Sequence, residues 1–299
     1  MIVASNLGTN PWGEIFDFSD YGALLSLLHN SIIAGAVLGV VGGLISTFVI
    51  MRDLPFAVHG ISELSFAGAS GALLIGTSVV VGSLTGSILA ALIIGALGTR
   101  ARDRNSIIGV LMPFGLGLGV LFLALYHGRS ANKFGLLIGQ VGAIETSRLW
   151  ALVATSAVVA VGLVAIWRPL AFASTDPELA AARGVPVRLL SPIFMLLLGL
   201  TVAMAVQIVG ALLVLSIVVT PGAAAVRVTA SPRLAPVLSV AFAVVSLVGG
   251  IMLAVGSVPV SPYVTTIAFT IYVVCRIIGS VRSRRGSAQP DVPAGHDRC

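Results

Sequence analysis

The chain has 299 residues, 57% of them hydrophobic and 9% charged, with a formal charge of +6 and a mean hydropathy of +1.08. Soluble domains carry about 25% charged residues, so a chain this apolar cannot cover its surface with polar groups, and a soluble enzyme is excluded. The basic residues would suggest nucleic acid in a soluble domain, but here they sit between apolar runs, where the positive-inside bias accounts for them and no nucleic-acid partner is expected.

Residues 1–27 are mildly acidic and lack the basic start and apolar stretch of a cleavable signal. They read as an interfacial segment with Trp12, Phe16, Phe18 and Tyr21 at headgroup level. Apolar runs of the length a membrane helix needs, about 20 residues, follow near 28–51, 55–77, 79–99, 106–126, 147–168, 188–207, 209–226, 235–256 and 262–279. The block from Leu189 to Val226 is too long for one span, and Pro192 and Pro221 divide it into two with a very tight connection. The expected fold is all-α: a polytopic transmembrane bundle of eight to nine spans over 28–279, followed by a disordered basic cytoplasmic tail at 280–299.

With nine spans, fourteen of the 17 Lys and Arg residues fall in one set of loops and only Arg129, Lys133 and Arg148 in the other. The first set is therefore cytoplasmic, the C-terminus inside and the N-terminus outside. The longer outer segment, 127–146, is Gly-rich and half-apolar, a re-entrant or interfacial piece. Gly35, Gly39 and Gly43 recur every four residues and predict close helix packing. Cys275 belongs to the apolar core and Cys299 ends the tail, so no disulfide framework is expected.

Of eleven acidic residues, Glu63 alone lies well inside an apolar run, and His59 stands four residues before it on the same helix face. A carboxylate at mid-membrane costs roughly 2.5–3.5 kcal/mol even on the lenient insertion scale, so it faces a cavity or a partner. Imidazole with carboxylate suits zinc, manganese or iron, and two ligands suit a transit site that must release its ion. A hydrogen bond pinning two helices and a proton relay are the competing readings. His29 and His127 lie at span ends and read as interfacial.

The cytoplasmic loop 168–188 carries a complete set of helix signals. Thr175 with Glu178 fits a capping box, or Asp176 caps with Pro177 at the first position; Arg183 sits in the last turn and Gly184 ends it. Such a helix is either a connector or a docking element for a soluble partner. Gly115, Gly117 and Gly119 lie inside a span, and no G-x4-GK[ST] occurs, so any ATPase is another chain.

These residues resemble the permease subunits of the metal-ion ABC importers, the zinc, manganese and iron uptake group. The resemblance runs from about His29 to Val274 and is carried by GLISTFVIMRDLPFAVHGISELSFAGASGALL, IIGVLMPFGLGLGVLFLALY, LLIGQVGAI, TDPELAAARGVPVRLL and VQIVGALLVLSIVVTPGAAA. It implies a multi-pass permease of the inner (plasma) membrane, homodimeric or pseudo-dimeric, with a second permease copy, cytoplasmic ABC ATPase subunits and an extracytoplasmic metal-binding protein as partners. ATP would be bound and hydrolysed on the partner subunits, so the chain itself is a transport subunit and not an enzyme, with no permanently bound cofactor.

Within that resemblance Asp176, Pro177, Glu178, Arg183 and Gly184 belong to the helix that couples to the ATPase. An Asp-x3-His pair that contacts the ion in transit is replaced here by His59 and Glu63. The histidine at the first position favours Zn2+ over Mn2+ or iron as cargo. Because neutral imidazole is the ligand, acid is expected to weaken transport. Gln207 is either a helix–helix hydrogen bond or a pathway group. A proton-coupled secondary metal transporter using the same pair is the alternative, though no inverted repeat is detected. An intramembrane metalloprotease lacks its H-E-x-x-H, and a siderophore or cobalamin importer fits the loop motifs less well.

Overall fold

The computed structural model describes residues 28–97, 101–128, 135–136, 144–254 and 260–286. The interfacial segment expected at 1–27 and most of the outer segment 127–146 lie outside the described residues. Among the described residues every regular element is helical: α1 His29–Met51, α2 Pro55–Leu74, α3 Val79–Leu97, α4 Ala101–Leu125, α5 Thr146–Thr175, α6 Pro177–Ala182, α7 Val187–Val209, a 3-10 turn Ala211–Leu213, α8 Val214–Val218, α9 Thr220–Val228, α10 Leu234–Leu253 and α11 Val260–Gly286.

Among the described residues seven helices are long and apolar enough to cross a membrane: α1, α3, α4, α5, α7, α10 and α11. The expected eight to nine spans differ from this at two places. The run at 55–77 does form a helix of 20 residues, α2, but His59, Glu63 and three serines dilute its apolar character. The run at 209–226 forms no continuous helix. Gly210, at φ +86°, ends α7 in a conformation that suits glycine, and the chain then breaks again between α8 and α9.

Proline explains the second break. Pro221 offers no N–H and cannot close the helical bond four residues back. Beside the break, the Ser46 hydroxyl of α1 donates to the Val219 carbonyl at 3.2 Å and accepts the Gly222 N–H at 2.8 Å, tying it to α1. Pro192, by contrast, lies inside α7 without ending it, so the glycine rather than that proline sets the connection.

Two helices outrun their expected bounds. α5 passes Arg168 and Pro169 and continues to Thr175, shortening the cytoplasmic loop to α6 and its flanks. α11 runs to Gly286, so the break expected at 280 is not there; residues 287–299 lie outside the described ones. Cys275 is buried, as expected of a core residue.

In lipid, helices gain little from mutual burial of apolar surface, and close backbone approach takes its place. The glycine stripe of α1 supplies that approach against α10. A Cβ on Gly43 would stand 2.5 Å from Val240 Cα, and one on Gly39 2.9 Å from Val244 Cα. The Ser239 hydroxyl donates to the Gly43 carbonyl at 2.7 Å across the same seam. α2 is held in the same manner between α3 and α4: Gly86 lies against the Leu64 carbonyl, and Gly115 against the Glu63 backbone. Outward, α4 and α5 expose Val110, Phe114, Val120, Trp150, Val161 and Val164, an apolar face for lipid tails.

Candidate metal site and coupling segment

α2 starts on Pro55, whose fixed φ suits a first helical position, directly after a three-residue turn from α1. One turn in, His59 and Glu63 stand on one face as their spacing requires. Glu63 is 3% exposed, while the His59 side chain keeps 28%. Their nearest approach, Nε2 to Oε1, is 3.8 Å, too long for a hydrogen bond. A His–Glu bond pinning two helices is therefore not what the pair makes; both residues belong to one helix, and each keeps a free polar atom.

Those free atoms are informative, because buried polar groups are nearly always partnered. Among the described residues, five buried side-chain atoms have no hydrogen-bond partner: His59 Nδ1, Glu63 Oε2, Ser70 Oγ, Arg52 Nη1 and Arg104 Nε. Three of them lie on α2 at positions four and then seven residues apart, which a helical repeat of 3.6 places on one stripe. Ser70 does not stand out in the sequence by itself; a serine eleven residues after His59 is the signal that would have found it.

The neighbouring face of α2 is fully satisfied. Ser65 shares a 2.8 Å contact with the Ser83 hydroxyl of α3, and Ser83 donates onward to the Ala203 carbonyl of α7 at 3.2 Å. The polar content of α2 thus divides into a bonded side, which fixes the helix, and an unbonded stripe. Among the described residues no third His, Cys, Asp or Glu joins His59 and Glu63. An imidazole and a carboxylate with idle lone pairs can accept a divalent cation, and one chain supplies two ligands for it.

Gln207 donates its amide back to the Ala203 carbonyl of its own helix at 3.2 Å rather than across to a neighbouring one. It lines a cavity of about 120 Å³ with Arg148, Met204 and Leu136. His29 and His127 are both exposed.

Between α5 and α7, α6 folds on its own local signals. Asp176, not Thr175, is the cap: its Oδ1 accepts the Leu179 N–H at 2.9 Å, Pro177 takes the first position and Glu178 lies in the first turn. The Thr175 hydroxyl instead bonds the Ala171 carbonyl of α5. Arg183 is the C-terminal cap rather than a last-turn residue, and Gly184, at φ +82°, turns the chain out while its N–H donates to Ala181. Of α6 only Ala180 is buried; Pro177, Glu178, Leu179, Ala181, Ala182 and Arg183 are exposed.

Between the two regions lies Arg52, which the sequence alone presents only as a topology charge. Its Nη2 donates to the Ser191 hydroxyl of α7 at 3.2 Å and its guanidinium stands 5.6 Å from the Phe194 ring centroid. Burial, and after it the neighbouring charge of Arg104, push its pKa down from the usual arginine value.

The profile of the ABC 3 transport family matches residues 25–279. The manganese transport system membrane protein MntC of Halalkalibacterium halodurans is 30% identical over 239 residues, 80% of this chain and 82% of that protein. The manganese import system permease protein ScaB of Streptococcus parasanguinis is 27% identical, over 71% of this chain and 75% of its own length. Among solved structures, PsaBC from Streptococcus pneumoniae in complex with Fab superposes with a TM-score of 0.78 at 23% identity, covering 89% of this chain and all of that one, a likeness of fold.

Proposed function

The chain belongs to the ABC 3 transport family, a multi-pass transport component rather than an enzyme, and from that premise we infer that it is the inner-membrane permease of an ATP-driven importer of divalent transition metal. The observation that carries the reading is the unbonded His59–Glu63 pair, its Glu63 buried in a helix where a lone carboxylate is costly. An ion in transit supplies the missing partner for both side chains. Two copies of the chain bring two imidazoles and two carboxylates, and water completes the shell of a larger ion. We count α2 and the broken stretch 211–228 among the membrane crossings, which makes nine and keeps α6 on the cytoplasmic side.

The cargo we propose is manganese. The zinc preference drawn from His59 finds no support in the relatives, which are named for manganese. It also lacks a chemical basis once both positions are considered together. The pair implied by the resemblance, Asp then His, and the pair here, His then Glu, each present one nitrogen and one carboxylate. Their order along the helix is exchanged, and the carboxylate is a glutamate in place of an aspartate.

In the cycle, an extracytoplasmic metal-binding protein delivers the ion to the outer mouth, and the pair holds it while the outer path closes. The exposed face of α6, with Asp176, Pro177, Glu178, Arg183 and Gly184 fixing its shape, docks on a cytoplasmic ABC ATPase. ATP binding there drives the change from outward to inward access. A secondary, proton-coupled transporter is not favoured by membership of an ABC family.

The test is ATP-dependent uptake of radiolabelled manganese and zinc in proteoliposomes holding this chain, its ATPase and the binding protein. Manganese uptake that disappears in His59→Ala is the expected result. Zinc uptake alone keeps the importer and overturns the cargo; uptake that persists without ATPase overturns the importer.

A further inference from the structure

The two helices that flank α6 converge on one spot at the end of α1. α5 leads into α6 and presents Trp167, whose ring meets Phe48 edge-on at 4.9 Å between centroids. α7 leads out of α6 and presents Phe194, at 6.1 Å from the same Phe48 ring. Arg52, one turn beyond Phe48, is joined to α7 twice, by the 3.2 Å bond to Ser191 and by the stacking on Phe194. These contacts lie between the exposed segment and the pair, and none belongs to either.

The turn from Arg52 into α2 is short and stiff. Asp53 is held at φ +53°, an uncommon conformation for a residue with a side chain. Around it the Asp53 N–H donates to Ile50, the Leu54 N–H donates to Val49 at 2.9 Å, and Arg104 Nη2 reaches the Asp53 carbonyl at 3.5 Å. Leu54 is 2% exposed. Pro55 then begins α2, and His59 is its fifth residue. No slack separates the guanidinium from the pair. The second nitrogen, Nη1, is buried without an acceptor, so a shift of α7 can exchange one acceptor for another without first breaking a saturated fork.

We propose that Arg52 is a positioning residue that transmits movement of the α6 segment, through Ser191 and Phe194, to the start of α2 and so to the His59–Glu63 pair. It touches no ion; it acts by setting where α2 begins. The inference rests on the importer reading above. Lysine cannot replace it, since an ammonium does not combine a planar stack with a forked donor.

The experiment compares manganese binding with manganese uptake in the complete complex of permease, ATPase and binding protein. Arg52→Met keeps the packing of the stem and removes the guanidinium. It is expected to bind manganese with unchanged affinity and to lose uptake about tenfold, within the span of mutations on coupling networks. Arg52→Lys recovers little. Ser191→Ala, too small a change to unfold the chain, is expected to lose uptake about threefold and to add nothing on top of Arg52→Met.

Wild-type uptake by Arg52→Met overturns the proposal, and so does loss of binding in step with uptake. If Arg52→Met fails to assemble, Ser191→Ala decides: normal uptake there overturns the link. Absence of uptake by the wild-type complex overturns the importer reading itself, and the link falls with it.

Discussion

α2 and α6 both carry charge on a short stretch of chain, yet they handle it in opposite ways. In α6 the capping groups act locally and the charges stay outside: Asp176 holds the Leu179 N–H, Gly184 takes the left-handed turn, and Glu178 and Arg183 are exposed. In α2 the acidic and imidazole groups are inside, 3.8 Å apart and unbonded, while the serines on the neighbouring face are fully engaged. A segment whose polar groups are satisfied is already folded and offers a finished shape. A segment whose buried polar groups are idle is waiting for something to arrive. On the importer reading proposed above, the same distinction separates a docking surface from a transit site.

Substitutions at three positions test that division. Glu63→Gln keeps shape and removes charge, and it should cut uptake by about 100-fold or more, since even indirect supporters of metal ligands are worth 10–100-fold. ATPase co-purification with Glu63→Gln should be unchanged; a weakened ATPase complex would break the comparison. Gly184→Val forces a β-branched residue to φ +82° at a cost of roughly 1–2 kcal/mol. Its ATPase affinity should fall about tenfold while manganese binding to the permease stays as it was, both readable by titration calorimetry.

Asp176→Ala removes one cap worth about 1 kcal/mol. A several-fold fall in uptake is expected, and Asp176→Asn should restore it because the amide oxygen can also accept the Leu179 N–H. Loss of manganese binding in either α6 variant would mean that the two regions are not separate devices.

Sequence reading reaches furthest where the determinants are local. The α6 caps lie within nine residues of one another, and the structure changes only which of Thr175 and Asp176 does the capping. The glycine spacing of α1 announces a close neighbour, but which helix it meets is decided by residues some two hundred positions away, as the 196-residue separation of Gly43 and Ser239 shows. The span count is less legible because hydropathy treats α2 and 209–226 as ordinary runs. The polar stripe of one and the Gly210 and Pro221 breaks of the other make them exceptions. Arg52 is invisible as anything but a charge, since its partners Ser191 and Phe194 belong to a helix 139 residues on. The candidate pair itself is plain, but the zinc cargo inferred from one of its positions without the other finds no support in the relatives.

The seam between α1 and α10 has a consequence in time. A ribosome adding about 5–20 residues per second needs roughly 10–40 s to pass from Gly43 to Ser239. Throughout that interval the small-residue groove of α1 is in the bilayer without the helix that fills it, and the Gly43 carbonyl lacks the hydroxyl it will accept. The α1–α10 seam is therefore closed late, long after the packing of α2 between α3 and α4 has become available. A nascent chain stalled before α10 is a target for membrane quality control even though most of its spans are already in place.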